Sequence, residues 1–494
     1  MNFSNLLFRF FGRFLFLAPV LVSGLAVGGW PQTGNAAERT AEAVFLAHCA
    51  SCHGAVRYGG FAPPLIPQAL KRKSPEQLEQ IIRDGLPQTQ MQPFGKILSA
   101  SEIRSVAGLL KAPVGKITWS DDQIRASRQE PPPRQKNWQP PTHRESLILV
   151  VERGTSSVSV LDGRSMKELD RYQVGRVHGG LKFDHDFLYA FAATRDGTVA
   201  RYDLMSGEVR AMVKVAVNTR NMALSPDSRW VAAVNQLPRT LVVLDGDLRH
   251  RKTIGLKGEP SGVYDLPGEN AFVLGLRDQP HLIMVPYPDL SPRTVSLPLP
   301  FEDFVFVPGT TRILASARKG KSILLYDWKS GKILNRLQTT GLPHLFSAAF
   351  FLRDNQPHAA LNHIGIPRLT ILNLSTFRVV KTLTLNGAGY FARTHPGTEH
   401  IWVDTNTEAI RLVRKSDLTL LEKPLIPEAG KKALHVEFTA DGGQALVSVW
   451  DQVGAVVVYD TRTLRETHRL PYTMPVGKYN TRNKTFYPIE KAKP

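Results

Sequence analysis

The chain has 494 residues, 42% hydrophobic and 21% charged, which is enough for two or three domains and unlike a disordered or collagen-like composition. Its 62 Lys and Arg against 43 Asp and Glu leave a net charge of +19. No zinc-finger spacing, RNP-type aromatic pattern or long basic run goes with that charge, KRK at 71–73 being the densest cluster. An acidic small molecule or protein partner therefore fits better than nucleic acid.

The N-terminus has the order of an export leader. Arg9 and Arg13 precede the apolar run FLFLAPVLVSGLAV at 14–27, and the small residues GNAA follow at 34–37. This predicts a cleaved signal peptide over 1–37 and a periplasmic mature protein. The run is shorter than the roughly 20 apolar residues a spanning helix needs.

The chain's two cysteines fall in the stretch HCASCHG, as Cys49-Ala-Ser-Cys52-His53. A C-x-x-C pair alone suits thioredoxin-like, zinc or heme chemistry. Here a zinc site lacks further cysteines, and a redox pair has no use for the adjoining histidine. Thiols one helical turn apart can both reach the vinyl groups of one heme, with His53 placed against the iron, so covalent heme c is expected. Around this motif the helix TAEAVFLAH leads in. The capping box Ser74-Pro-Glu-Gln77 starts a second helix that ends at Gly85, and Ser99-x-x-Glu102 starts a third that runs to Leu110 and stops before Pro113. Met91 lies in the loop QTQMQPFGK between them and is the expected second axial ligand. Three helices with a methionine loop before the last resemble a class I cytochrome c, a small all-α domain over 38–112. Residues 113–145, with PPP at 131–133 and PP at 140–141, read as a stiff Pro-rich linker.

From 146 to 494 the chain repeats. VSVLD (158–162), VARYD (199–203), LVVLD (241–245), LIMVP (282–286), ILLYD (323–327), LTILN (369–373), IRLVR (410–414) and VVVYD (456–460) start 41, 42, 41, 41, 46, 41 and 46 residues apart. A period just above forty with about four strands per unit predicts an all-β eight-bladed propeller. The innermost strands are expected at HGGLKF, TRNMALSP, SGVYDLP, FEDFVFVP, LFSAAFF, YFARTHP and HVEFTAD. Polar residues entering them would rim the central mouth: His178, Arg220, Glu302, His344, Tyr390 and His435.

A cytochrome c followed by an eight-bladed propeller resembles the cytochrome cd1 family, over almost the whole mature chain. The stretches that carry the resemblance are VGRVHGGLKF…LYAFAATRDG, TGLPHLFSAAFF, GYFARTHPGTEHIWVDT, ALVSVWD and MPVGKYN. It implies that the propeller binds heme d1, with His178 as ligand of the d1 iron and Arg195 and Arg220 pairing its carboxylates. The nitrite reductases of the family resemble a two-histidine design over the open iron face. His344 matches one of these histidines, but LPFEDFVF places Glu302 where the other should be. A propeller-only relative lacks the HCASCHG domain. The resemblance therefore points to the biosynthetic branch, the dihydro-heme d1 dehydrogenases, which oxidise a propionate of the heme d1 precursor to acrylate in the last step of heme d1 assembly.

On that reading His344 is the expected base. His435 and Tyr479 surround the substrate, to orient it, ligate its iron or carry a proton. Glu302 is a second acid/base or a rim charge. No nicotinamide or flavin motif is present, so electrons are expected to leave one at a time to heme c and then to an external small cytochrome or cupredoxin. The d1 compound would be exchangeable, and the natural partner a transiently bound nitrite reductase. The competing readings are a nitrite reductase with an altered distal site, and a heme d1 carrier or insertion protein.

Overall fold

The computed structural model describes residues 39–59, 62–71, 73–86, 91–134, 138–266, 268–317 and 321–486. The leader expected over 1–37 lies outside them. Among the described residues no helix is long and apolar enough to cross a membrane.

The helical region forms where the capping signals place it. Thr40 accepts the Ala43 N–H at 3.2 Å and starts helix Ala41–His48. The short turn Ala50–His53 carries the cysteine motif. Reciprocal capping boxes at Ser74/Gln77 and Ser99/Glu102 open helices Pro75–Asp84 and Ala100–Lys111. Each satisfies N–H groups the helix itself cannot, which is worth about 1 kcal/mol per cap. The apolar faces of the two helices, Leu78 and Ile82 on one and Ile103, Val106, Ala107 and Leu110 on the other, close over Val44, Phe45 and Cys49. Met91 packs against this same core.

The stretch 113–145 is more than the spacer its prolines suggest. Ser120 and Gln123 cap a helix at Asp121–Ala126, and Ile124 is fully buried among Val213, Val215 and their neighbours. Trp119 Nε1 donates to Lys214 O at 2.9 Å, and Trp138 Nε1 donates to Met205 O at 2.6 Å. Gln129 and Met212 exchange backbone bonds of 2.8 and 2.9 Å. Arg134 reaches Asp170 at 2.6 Å. Single anchor side chains, with no periodicity to betray them, fasten this segment along the propeller edge.

The rest is eight antiparallel sheets in sequence. Their innermost strands are Val177–Phe183 (blade 1), Asn218–Leu224 (blade 2), Pro260–Asp265 (blade 3), Asp303–Phe306 (blade 4), Leu342–Pro343 with Ala349–Arg353 (blade 5), Ala392–Arg393 (blade 6), Lys432–Phe438 (blade 7) and Pro475–Asn480 (blade 8). The recurring motifs are the third strands of their blades: Thr198–Asp203 pairs with Tyr189–Thr194, which pairs with Val177–Phe183. The first motif, in Ser157–Asp162, belongs to a blade whose innermost strand comes from the other end of the chain. Pro475–Asn480 pairs antiparallel with Leu147–Glu152 and closes the ring. Middle strands are buried on both faces, as in Ala271–Leu276, while outer strands such as Arg378–Thr384 are largely exposed. Blade 6 has three regular strands, with Leu420 and Leu425 bridging to Val413 and Ile410 where a fourth would run.

The docking of 113–145 can be tested at its buried anchor. Ile124→Ala is expected to cost about 2–5 kcal/mol of that docking. The result should be faster limited proteolysis between 113 and 145, with the propeller core still resistant.

Candidate functional site

The inner strands do not enter the channel as regular strands. Register shifts interrupt the pairing at 177/181 in blade 1, 218/219/221 in blade 2, 260/263 in blade 3 and 434/436 in blade 7. A bulge of this kind bends the strand and re-aims a side chain. The residues inside these breaks include His178, Arg220 and His435. Gly179 and Gly180 adopt φ of 80° and 84°, and His435 adopts φ of 49°. A Cβ at Gly179 would stand 2.5 Å from Asn221, and one at Gly180 would stand 3.2 Å from the Tyr479 ring. The HGG motif is therefore both a backbone requirement and a close approach.

One arc of the mouth is basic. His178 Nδ1 donates to Arg220 O at 2.6 Å, and Nε2 accepts from Arg195 Nη2 at 2.7 Å. Burial, then the Arg195 charge, pull the His178 imidazole down to about 3, so it is neutral. Burial and the charges of Arg220, Arg153 and Arg277 bring Arg195 to about 9. Burial, then Arg277, bring Arg220 to about 10. Arg153 and Arg176 are lowered too, chiefly by burial. The predicted trio His178, Arg195 and Arg220 is thus brought together, and Arg153, Arg176 and Arg277 extend it. Five guanidinium groups crowded this way make a site for an anionic ligand.

The other arc is a chain of rings. His344 stands edge-on to Phe391 at 5.8 Å, Phe391 to His435 at 4.9 Å, and His435 to Tyr479 at 5.4 Å. The three residues singled out here, from blades 5, 7 and 8, share one wall. His344 Nδ1 donates to Tyr390 O at 2.7 Å, which leaves Nε2 as the basic nitrogen. Burial raises Tyr479 to about 12, so it keeps its phenol proton. Tyr390 contributes this carbonyl, while its side chain is exposed.

Carboxylates lie between and behind the arcs. Glu302 sits 3.8 Å from Arg277, which in turn sits 3.6 Å from Glu259. It is an ion-pair partner within the basic arc. Its neighbour Asp303 is the more enclosed group, 8% exposed, and accepts the Phe346 N–H at 3.1 Å. Burial raises its carboxyl, against the opposing pull of His344, Arg220 and Arg277. Sequence reading passed over Asp303, Asp404, Lys478 and three of the arginines. A signal existed for the first: His178, Arg220, Gly262, Asp303 and His344 are spaced 42, 42, 41 and 41 residues apart, at equivalent points of successive repeats.

In the helical region His53 Nδ1 donates to Pro63 O at 2.8 Å, which leaves Nε2 for a metal. Burial, then the Cys52 charge, push the Cys49 thiol up to about 11. Cys49 shares its core with Met91. Two thiols, one oriented imidazole and a thioether around one apolar core form a donor set that fits a heme. Burial, and to a lesser degree the Arg176 charge, lower His53, which places this site within the electrostatic reach of the propeller mouth.

The contact at Gly180 gives a direct check. Gly180→Ala is expected to lower stability by about 1–2 kcal/mol through its left-handed backbone, with a further loss from displacement of the Tyr479 ring. Thermal denaturation measures the first effect and near-ultraviolet circular dichroism the second.

Comparison with known proteins identifies both parts of the chain. Residues 142–484 match the cytochrome D1 heme domain, and residues 36–110 match the cytochrome c oxidase, cbb3-type, subunit III family. The dihydro-heme d1 dehydrogenase of Pseudomonas aeruginosa is 36% identical over 486 residues, covering 94% of this chain and 98% of that protein. The nitrite reductase of Stutzerimonas stutzeri is 23% identical, covering 94% and 97%. The solved structure of the dihydro-heme d1 dehydrogenase NirN in complex with DHE superposes with a TM-score of 0.82 at 36% identity, covering 90% of this chain and 99% of that one. An N-terminal cytochrome c domain, a d1-type propeller and end-to-end similarity of this degree make the chain a member of the cytochrome cd1 family, in its dihydro-heme d1 dehydrogenase branch.

Proposed function

We propose that this protein dehydrogenates dihydro-heme d1, converting a propionate side chain to an acrylate. The observation that carries this reading is the pairing of two unlike arcs at one mouth: a cluster of half-buried arginines and a wall that carries His344, His435 and Tyr479. An acidic tetrapyrrole satisfies the first, and proton removal from its side chain uses the second.

The reaction turns –CH2–CH2–COO⁻ into –CH=CH–COO⁻ and releases two protons and two electrons. Arg195 and Arg220 hold substrate carboxylates by charge-assisted hydrogen bonds. His178, neutral and oriented by its bond to Arg220 O, offers Nε2 to the substrate iron once Arg195 turns to a carboxylate. His344 takes a proton at Nε2, its other nitrogen being held by Tyr390 O. His435 and Tyr479 flank the side chain, Tyr479 as a hydrogen-bond donor, and give the second proton its way out. Cys49, Cys52, His53 and Met91 would hold a heme c, which would supply a one-electron acceptor in the same chain. Arg176 links the two sites: its charge acts on His53, and its backbone carbonyl accepts the Arg195 backbone N–H at 3.0 Å. A small cytochrome or cupredoxin in the periplasm reoxidises the protein, and a net basic chain favours an acidic docking face. The product is handed to a nitrite reductase in a transient complex. Glu302, engaged with Arg277 where the nitrite reductases have a second histidine, speaks against nitrite turnover by this chain itself.

Anaerobic incubation with dihydro-heme d1 and an oxidant should yield product two mass units lighter. A heme c-loaded, reducible protein that gives no such product would sink the reading, and rapid nitrite turnover would replace it with reduction. His344→Ala is expected to cut the rate about 10²–10⁴-fold with substrate still bound. Arg220→Ala should instead weaken binding, by about 10–100-fold in Kd for the loss of one charge-assisted bond, as read by absorption titration.

A further inference from the structure

We propose that Asp404 and Lys478 form a buried clamp on the backbone of His435, and that this clamp positions His435 and, through Tyr390, His344 for the reaction. The inference rests on the dehydrogenase reading above.

His435 needs holding. It is a non-glycine residue with φ of 49°, set in the break of pairing between Leu434 and Val436. That backbone region costs an L-residue about 1–2 kcal/mol and persists only when its surroundings over-determine it. Two ionisable side chains do so from opposite sides. Asp404 Oδ2 accepts the His435 N–H at 3.2 Å, while Lys478 Nζ donates to the His435 carbonyl. Lys478 Nζ also donates to Ser448 Oγ at 2.7 Å, and its backbone N–H lies 3.4 Å from His435 Nδ1. With Nδ1 accepting, the ring proton of neutral His435 sits on Nε2.

The same carboxylate reaches the other histidine. Asp404 Oδ1 accepts the Tyr390 N–H at 2.7 Å and the Phe391 N–H at 3.1 Å. Tyr390 O is the acceptor of His344 Nδ1. One carboxylate thus fixes the peptide that orients His344, the ring that separates the two histidines, and the backbone of His435. Asp404 is 1% exposed and Lys478 0%. Burying two ionisable side chains is unfavourable for stability alone, since well-packed apolar residues of similar size serve as well or better. What it provides here is direction: three N–H groups and one carbonyl tied to fixed points.

The test compares Asp404→Asn, Lys478→Met and the double variant with His344→Ala and His435→Ala. Each single variant should lose about 100-fold in kcat, as expected for catalytic groups displaced by an ångström or so, with substrate Kd by absorption titration changed less than about threefold. Each should also melt at a lower temperature, because buried hydrogen bonds to the backbone are lost and their partners left unsatisfied. In the double variant kcat should stay low with substrate Kd still little changed, because the bonds to His435 remain broken. Wild-type kcat in the double variant, or in both single variants, would overturn the clamp. If a single variant does not fold, the double variant decides by the same comparison of kcat with Kd. Full activity in His344→Ala and His435→Ala would overturn the underlying reading instead, whatever Asp404 and Lys478 do.

Discussion

The site depends on a backbone irregularity repeated around the ring. A regular inner strand would point alternate side chains along the sheet faces, into the packing between blades. At the mouth the pairing slips, and the residues in the slip turn toward the axis. Polar bonds from one blade to the next then lock these residues: His178 to Arg220 O, Asn221 to Val263 O, Tyr264 to Phe304 O, Phe346 N–H to Asp303, His344 to Tyr390 O and His435 N–H to Asp404. Each bond satisfies a group that the broken ladder would leave orphaned. The slips and the cross-blade bonds are therefore one device: the first exposes the site residues and the second makes their exposure tolerable.

Electrostatics work against a cluster of like charges at the mouth. Burial and mutual repulsion pull Arg195 down to about 9 and Arg220 to about 10. A shift of that size corresponds to a few kcal/mol of unfavourable burial and repulsion, to order of magnitude. Both remain protonated near neutral pH, so that energy is carried by the folded protein. Ligand carboxylates relieve it. The affinity of such a site comes as much from ending the repulsion as from the new bonds, and it is specific for multiply charged anions.

Much of this was legible from the chain. The heme c motif and the capping boxes at Ser74 and Ser99 are local, and local signals survive into the fold. The propeller was legible because eight β motifs keep a period, and His178, Arg220, His344 and His435 because they enter the strands that the period locates. Asp303 was obscured by Glu302, whose charge drew attention one position early. Asp404 and Lys478 were illegible for another reason. Each acts on the backbone of His435 in a neighbouring blade, and no spacing in one strand announces which backbone group of the next it will meet. The anchoring of 113–145 was hidden likewise, because Trp119, Ile124 and Trp138 look like strays among prolines until the surface they fill is known.

The closing strand Pro475–Asn480 has a consequence for timing. It is the last strand among the described residues and the innermost of its blade, and it carries Lys478 and Tyr479. The channel wall therefore stays unfinished until the C-terminus has threaded back beside Leu147–Glu152. A chain made from its N-terminus can fold its helical region early, while the mouth of the propeller is complete only once this strand is available. A molecule lacking that strand has no wall to set opposite the basic arc.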